Sequence, residues 1–153
     1  MTPDDFIRKW AGVNLREKQA SQEHFLDLCA LGGVESPAKA DPQGEWFCFE
    51  KGATKAGGGD GWADVWRRGR FAWEYKSPGK DLDAAFKQLQ LYTPALEYPP
   101  LLIVSDIQEI RIHTAFTGML PKTYLMELED LRDPAQLNRS GKPVREPSVP
   151  SQT

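Results

Sequence analysis

The stretch DGWADVWRRGRFAWEYK, residues 60–76, carries most of the information about fold and function in this chain. Two aromatic-rich segments, 62–67 and 71–76, flank an Arg-Gly-Arg turn at residues 68–70. Short aromatic segments on either side of a glycine-containing turn are typical of a β-hairpin. The sequence therefore predicts two antiparallel strands joined by a three-residue turn.

This hairpin places three charged residues close together. If Asp64 lies opposite Glu74, their Cβ atoms lie about 5 Å apart on one face of the sheet. The same register places Arg67 opposite Phe71. Because side chains alternate along a strand, Lys76 shares the face of Glu74, and the aromatic residues of the second strand face the other way.

Two carboxylates and one lysine in this arrangement suit a particular chemistry. The carboxylates repel each other unless a proton or a cation lies between them. Mg²⁺ binds one or two carboxylates, keeps several waters and accepts phosphate oxygens. A nearby lysine can orient or deprotonate the attacking water and stabilise charge on the phosphate. The set fits metal-assisted phosphodiester hydrolysis, and the alternative is a charged surface cluster with a weak ion pair.

The segments around the hairpin predict a small sheet flanked by helices. Helical patterns cover residues 3–10, 15–31 and 81–93, with Asn14 as the cap of the second helix and Pro94 ending the third. Strand patterns cover residues 45–50, 62–67, 71–76, 101–105 and 109–114, a glycine-rich loop covers 52–61, and 123–131 is a further strand or helix. We therefore expect an α/β or α+β fold with a mixed sheet of four to five strands. This domain covers residues 1–136, and the polar segment 137–153 is predicted to be a disordered tail.

Composition and charge narrow the class of protein. The chain has 153 residues, 40% of them hydrophobic, which suits one globular domain. Its two cysteines exclude a disulfide scaffold, and the absence of a signal peptide or long apolar run predicts a cytoplasmic protein. The net charge of −3 argues against a nucleic-acid coat protein, yet residues 51–87 carry an excess of basic side chains. A basic segment with embedded carboxylates suits a polyanionic partner together with a cation, or else a solvated charged face.

The pattern Asp64-x9-Glu74-Tyr75-Lys76 resembles the PD-(D/E)xK nuclease motif. Together with the phrases SQEHFLDLC (21–29) and PPLLIVSD (99–106), the chain resembles the N-terminal endonuclease domain of MmeI-like bifunctional type II restriction–modification enzymes. The resemblance implies a restriction-endonuclease-like fold and Mg²⁺-dependent cleavage of double-stranded DNA, with Mn²⁺ able to substitute. It also implies methyltransferase and target-recognition domains, in a longer chain or in trans.

The same resemblance assigns roles to individual residues. Asp64 and Glu74 correspond to the metal ligands and Lys76 to the catalytic lysine. An acid on the first core helix often assists the metal in this fold, and Glu17 best matches that position, with Glu23 as the second choice. Either acid is equally well explained as a solvated helical residue.

Further residues are assigned to the helix and basic turn near the hairpin. Gln88 and Tyr92 resemble the QxxxY element of RecB-like nucleases, and helical spacing puts both on one face, although Tyr92 also suits core packing. Contacts to the DNA backbone are expected from four basic residues: Arg67, Arg68, Arg70 and Lys80. The five tryptophans could stack on bases, but core packing is the stronger interpretation at alternating strand positions.

A second function class stays open at this point. The chain could be a catalytically silent nuclease-fold module, a truncated remnant that binds DNA or a partner protein. A homodimer acting on both strands of a duplex is also compatible with the sequence. Methylation by this chain is excluded, since it has neither a glycine-rich cofactor motif after a strand nor an NPPY-type motif.

Overall fold

The computed structural model describes residues 1–13, 18–54 and 60–132. The predicted cap Asn14, the acid Glu17 and the predicted tail 137–153 lie outside the described residues.

The described residues form a mixed six-stranded sheet with helices on both faces. The helices are α1 (Pro3–Trp10), α2 (Lys18–Gly32), α3 (Pro37–Ala40) and α4 (Leu82–Gln90), and a 3₁₀ helix covers Leu128–Arg132. The strands are β1 (Phe47–Thr54), β2 (Asp60–Arg67), β3 (Phe71–Tyr75), β4 (Leu101–Ser105), β5 (Glu109–Thr114) and β6 (Thr123–Glu127). The predicted class, a mixed sheet flanked by helices, is confirmed.

The strands lie side by side in chain order, β1 to β6. Every neighbouring pair is antiparallel except β3 and β4, which are parallel. A parallel pair needs a crossover connection, and α4 with its flanking turns supplies it. The helix therefore covers the sheet face beside β3, where the predicted site lies.

Two apolar clusters lie on opposite faces of the sheet. One packs α1 and α2 against the sheet and includes Phe25, Trp73 and Tyr75. The other packs α4 against the sheet and includes Trp66 and Ala72. We call these the α1–α2 face and the α4 face.

The first helix forms as its sequence predicts. The Thr2 hydroxyl accepts a hydrogen bond from the Asp5 backbone N–H, and the Asp5 carboxylate accepts one from the Thr2 backbone N–H. This reciprocal capping satisfies two donors that the first turn would otherwise leave unpaired.

Three boundaries differ from the sequence prediction. Strands β1 and β2 extend into the predicted loop 52–61, because residues 51–54 pair with 60–63. Residues 37–40 form one helical turn inside a predicted loop, with proline in the first turn, where its missing N–H has no cost. Segment 123–131 divides into β6 and the start of the 3₁₀ helix, so the sheet has six strands rather than four or five.

Helix α4 is also shorter than the predicted 81–93. It ends at Gln90, before Pro94, and residues 91–97 form turns. The backbone N–H groups of Tyr92 and Thr93 bond three residues back, which tightens the chain after the helix. No helix in the described part of the chain is both long and apolar enough to cross a membrane.

Candidate active site

The β2–β3 hairpin has the register that the sequence predicts. Arg67 lies opposite Phe71, and the connecting turn consists of residues 68–70. The paired ladder ends just before Asp64 and Glu74. There, Oδ2 of Asp64 accepts a hydrogen bond from the backbone N–H of Tyr75 at 2.7 Å. This bond fixes the Asp64 carboxylate beside β3.

A pocket of about 310 Å³ opens where β2 and β3 separate. It is lined by Glu50, Gly61, Trp62, Asp64, Glu74, Lys76, Gln88 and Tyr92. The structure thus brings together five residues that the sequence analysis singled out, from β2, β3, the residue after β3, and α4 with its following turn.

The alternation of β3 explains why these residues meet. Ala72 is buried on the α4 face, so Glu74, two residues further on, points toward the same face. Lys76 follows at the same spacing, and its backbone N–H donates to the Ser105 carbonyl at 2.8 Å. That bond continues the pairing of β3 with β4 and holds the lysine at the pocket.

Glu74 is the electrostatically unusual member of the pocket. Burial and, after it, the neighbouring Asp64 carboxylate raise the pKa of Glu74 to about 8, while Lys76 acts in the opposite direction. The side chains of Glu74 and Asp64 also hydrogen-bond to each other. Such a bond between carboxyl groups requires a proton on one of them, so near neutral pH the pair holds a proton in the absence of a cation.

The donor set in this pocket fits a hard divalent cation. Two adjacent carboxylates that need a positive charge between them are the ligands that Mg²⁺ uses, with water and phosphate oxygens completing its shell. No group of three His, Cys, Asp or Glu side chains within residues 1–13, 18–54 and 60–132 is placed to hold a metal ion. A hydrated Mg²⁺ or Mn²⁺ site therefore fits, and a closed zinc site does not.

Of the two acids expected from the first core helix, Glu23 alone lies within the described residues, and it does not line the pocket. Glu17 lies outside the described residues. Glu23 lies on α2, which packs on the opposite face of the sheet, and its carboxylate pairs with the Lys9 amine at 2.8 Å. Glu23 is therefore placed for a surface ion pair rather than for the pocket.

Glu50 is a pocket residue that the sequence analysis did not identify. The β1–β2 ladder is interrupted where Glu50 faces Asp64, and Glu50 has a left-handed backbone with φ of +56°. One oxygen of its carboxylate, Oε1, is buried. A non-glycine residue in this conformation costs on the order of 1 kcal/mol or more, and such strain is concentrated at functional sites. No local signal in the sequence marks this bend.

Gln88 and Tyr92 meet as their helical spacing predicts. The Gln88 amide donates to the Tyr92 hydroxyl at 3.3 Å. The Tyr92 ring lies so close to Gly61 that a Cβ added there would fall 2.0 Å from Cζ of Tyr92. Gly61 is therefore required for the tyrosine to reach the pocket. Tyr92 thus both lines the pocket and is buried in the α4 cluster.

Behind the pocket, β3 is anchored on the α1–α2 face. The Tyr75 hydroxyl hydrogen-bonds to Nδ1 of His24 at 2.9 Å. Burial lowers the pKa of His24 to about 4, so the imidazole is neutral near pH 7 and can accept a hydrogen bond from the tyrosine hydroxyl. Trp73 donates from Nε1 to the Ser105 hydroxyl at 2.8 Å. These bonds fix the two residues that flank Glu74.

The basic residues assigned to DNA contacts lie at both ends of the hairpin. Lys80 is exposed in the connection between β3 and α4, at the pocket end. The other three lie in or beside the turn at the far end: Arg67, Arg68 and Arg70.

Two of the far-end arginines have intramolecular partners. The Arg67 guanidinium lies 5.4 Å from the Trp46 ring centroid, and Arg68 pairs with Glu97 at 3.0 Å. The structure therefore does not place these arginines at the pocket.

Comparison with known proteins gives one family. The family model described as "MmeI, N-terminal domain" matches residues 1–146. Comparison with curated proteins finds no match, and comparison with solved structures finds none either. Since the match spans nearly the whole chain, the chain belongs to the family of MmeI N-terminal domains, which are parts of restriction–modification enzymes.

Proposed function

We propose that this domain is a Mg²⁺-dependent endonuclease that hydrolyses phosphodiester bonds in double-stranded DNA. The observation that carries the proposal is the convergence of Asp64, Glu74 and Lys76 in one pocket. Their carboxylates are close enough to hydrogen-bond to each other. A restriction–modification family supplies the context in which DNA cleavage is needed.

Asp64 and Glu74 are the proposed metal ligands, with the backbone carbonyl of Tyr75 as a further oxygen donor. A bound divalent cation would supply Lewis acidity at a phosphate oxygen and lower the pKa of a coordinated water. The Tyr75 N–H holds Asp64 in place, so this ligand is oriented before the cation arrives. The raised pKa of Glu74 means that cation binding displaces a proton from the carboxylate pair.

Lys76 is the proposed catalytic lysine. It is half-buried in the pocket beside Glu74, and its backbone is held by Ser105. From this position the amine can orient the attacking water and stabilise the charge that develops on the phosphate. Gln88 and Tyr92 form the opposite wall, where they can position a DNA strand or a water molecule.

DNA binding is proposed to be independent of sequence in this domain. Lys80 lies at the pocket end and suits a phosphate contact, whereas Arg70 could contact only a duplex that extends along the hairpin. Sequence recognition is assigned to methyltransferase and target-recognition domains, in a longer chain or in trans. A homodimer would provide a second pocket for the other strand.

Metal-dependent nicking of supercoiled plasmid tests the proposal, with the protein in excess because the domain without its recognition partners should cut weakly. We expect nicking in Mg²⁺ or Mn²⁺ and none in EDTA. Asp64→Asn and Lys76→Ala should each reduce the rate by about 100-fold or more. Lys39→Ala, which removes an exposed lysine on α3, serves as the matched control and should leave the rate unchanged.

The contrary result would be equal behaviour of the wild type and the two pocket variants. That outcome would favour the silent module that binds DNA or a partner protein. Calorimetric titration with Mn²⁺ separates the two functions further, because loss of affinity in Asp64→Asn is expected of a metal site and not of a silent module.

A further inference from the structure

Trp62 differs from the other strand tryptophans in its exposure. Trp66 is 0% exposed and Trp73 is 8% exposed, whereas Trp62 is 59% exposed. Trp62 also lines the pocket that holds Asp64 and Glu74. The expectation that tryptophans at alternating strand positions fill the core therefore does not hold for Trp62.

The indole of Trp62 is exposed but not without support. Trp62 pairs with Gly52 across the β1–β2 ladder, and its Cζ3 atom lies 3.4 Å from the point where a Cβ of Gly52 would be. The ring therefore rests against the Gly52 backbone in ordinary contact. A supported aromatic ring loses little conformational freedom when a ligand covers its other side.

A flat, supported indole at the rim of a polar pocket suits one class of ligand. Bases of single-stranded nucleic acid stack on exposed aromatic side chains, and the stacking tolerates any base because every base has a π-face. The neighbouring Lys76 and the proposed cation site suit the phosphate of the same strand. An apolar ring and positive charge that lie side by side match the base and the phosphate of one nucleotide.

We propose that Trp62 stacks on an unpaired base of the strand that enters the pocket. This inference rests on the proposed function and deepens it, because the preferred ligand becomes DNA that is single-stranded or locally opened beside the scissile phosphate. The competing explanation is structural, since an aromatic side chain across from a glycine on an edge strand can simply cover that glycine.

Equilibrium binding separates the two explanations. Fluorescence anisotropy with a labelled oligonucleotide is measured in Ca²⁺, a cation that carboxylates bind, with a gel to verify that the DNA stays intact. Trp62→Ala should weaken binding of the single strand by about 5- to 100-fold, and Trp62→Phe should weaken it by less than about 3-fold. Phe116→Ala, at an exposed aromatic residue beyond β5, is the matched control and should bind as the wild type does.

Two further DNA ligands define what the indole contacts. A fully paired duplex should show a smaller difference between wild type and Trp62→Ala than the single strand does. A strand with abasic sites should remove the difference altogether, because it keeps the phosphates and deoxyriboses but lacks bases. A difference that persists with the abasic strand would assign Trp62 to the sugar and overturn base stacking.

Equal binding of the single strand by wild type and Trp62→Ala, including absence of binding by both, also overturns the inference. The readout is independent of cleavage. Trp62-dependent binding without any nicking would reject the proposed nuclease activity and leave the stacking inference standing. Nicking together with single-strand binding that does not depend on Trp62 would reject the stacking inference and leave the proposed nuclease activity standing.

Discussion

The two faces of β3 are built on opposite principles. On the α1–α2 face, Trp73 and Tyr75 stack with their ring centroids 5.5 Å apart, and each polar group has a buried hydrogen-bond partner. On the α4 face, Glu74 lies half-buried beside a second carboxylate, which raises its pKa. One strand thus combines a face that stabilises the fold with a face whose charges oppose folding. An apolar cluster also covers the rest of the α4 face, so the contrast lies at the end of β3, where the α1–α2 face stabilises the fold and the carboxylate pair at the pocket opposes folding.

The largest expected effect follows from removing a side chain from the α1–α2 face of β3. Trp73→Ala deletes an indole that stacks on Tyr75, contacts the Phe25 ring and donates to Ser105. We expect the free energy of unfolding to fall by about 3–5 kcal/mol, as for other buried aromatic residues replaced by alanine. Urea denaturation followed by circular dichroism measures the change.

The matched control for Trp73→Ala is Trp62→Ala on the neighbouring strand. Because Trp62 is 59% exposed, its replacement should change stability by less than about 1 kcal/mol. Should Trp73→Ala fail to fold, Trp73→Phe keeps most of the ring volume and should still be measurably destabilised. Similar losses in Trp62→Ala and Trp73→Ala would contradict the contrast between the two regions.

The second prediction reverses the sign on the pocket face. In the absence of a cation, Glu74→Gln should stabilise the domain by about 1–2 kcal/mol near pH 8, because it removes a carboxylate that burial and Asp64 disfavour. The native state keeps the Glu74 proton up to about pH 8, whereas the unfolded state releases it near pH 4.5. The wild type therefore loses stability as the pH rises through this window, and the variant should not.

Thermal unfolding in EDTA at several pH values tests this prediction. The difference in Tm between Glu74→Gln and wild type should grow from about pH 5 to pH 8 and then level off. Glu35→Gln, at an exposed residue between α2 and α3, controls for the loss of a negative charge. Added Mg²⁺ should raise the Tm of the wild type more than that of Glu74→Gln. A constant difference across the pH range would show that Glu74 is not held in its protonated form.

The contrast also shows which parts of the site were accessible from the sequence. The hairpin register followed from residues 62–76 alone, because alternation and turn length are local properties. The crossover helix α4 followed from its apolar spacing and from Pro94. The position of Gln88 and Tyr92 on one side of the pocket then followed from helical geometry.

Other parts of the site depend on contacts between distant segments. Glu50 reaches the pocket only because β1 bends where it faces Asp64, and the residues around it read as an ordinary strand. The exposure of Trp62 depends on what covers that part of β2, which alternation along the strand does not specify. Likewise, the sequence shows that Arg68 is basic but does not show that it lies at the end of the hairpin away from the pocket. Each of these features requires the positions of two segments that the sequence does not relate.

The smallest expected effect concerns the α1–α2 face and its contribution to stability at acidic pH. His24 is neutral in the folded state, since burial lowers its pKa to about 4, while in the unfolded state it takes up a proton near pH 6.5. Stability should therefore fall as the pH drops through this window, which is the opposite slope to that of Glu74. His24→Gln keeps an amide oxygen that can accept from the Tyr75 hydroxyl and removes the titrating ring. Between pH 7 and pH 5, we expect the free energy of unfolding of this variant to fall by about 1 kcal/mol less than that of the wild type.

His113 is the control for this last comparison, because burial also lowers its pKa to about 4 and it lies on the α4 face against Phe86. His113→Gln should remove a similar part of the acid sensitivity, and the double variant should remove both parts additively, since the two residues lie on opposite faces. Urea titrations at pH 5 and pH 7 provide the measurement. If His24→Gln retained the full acid sensitivity of the wild type, the imidazole would already be charged in the folded state. Because a charged imidazole has no acceptor nitrogen, His24 would then donate to the Tyr75 oxygen, and the direction of the bond that anchors β3 behind the pocket would have to be reassigned.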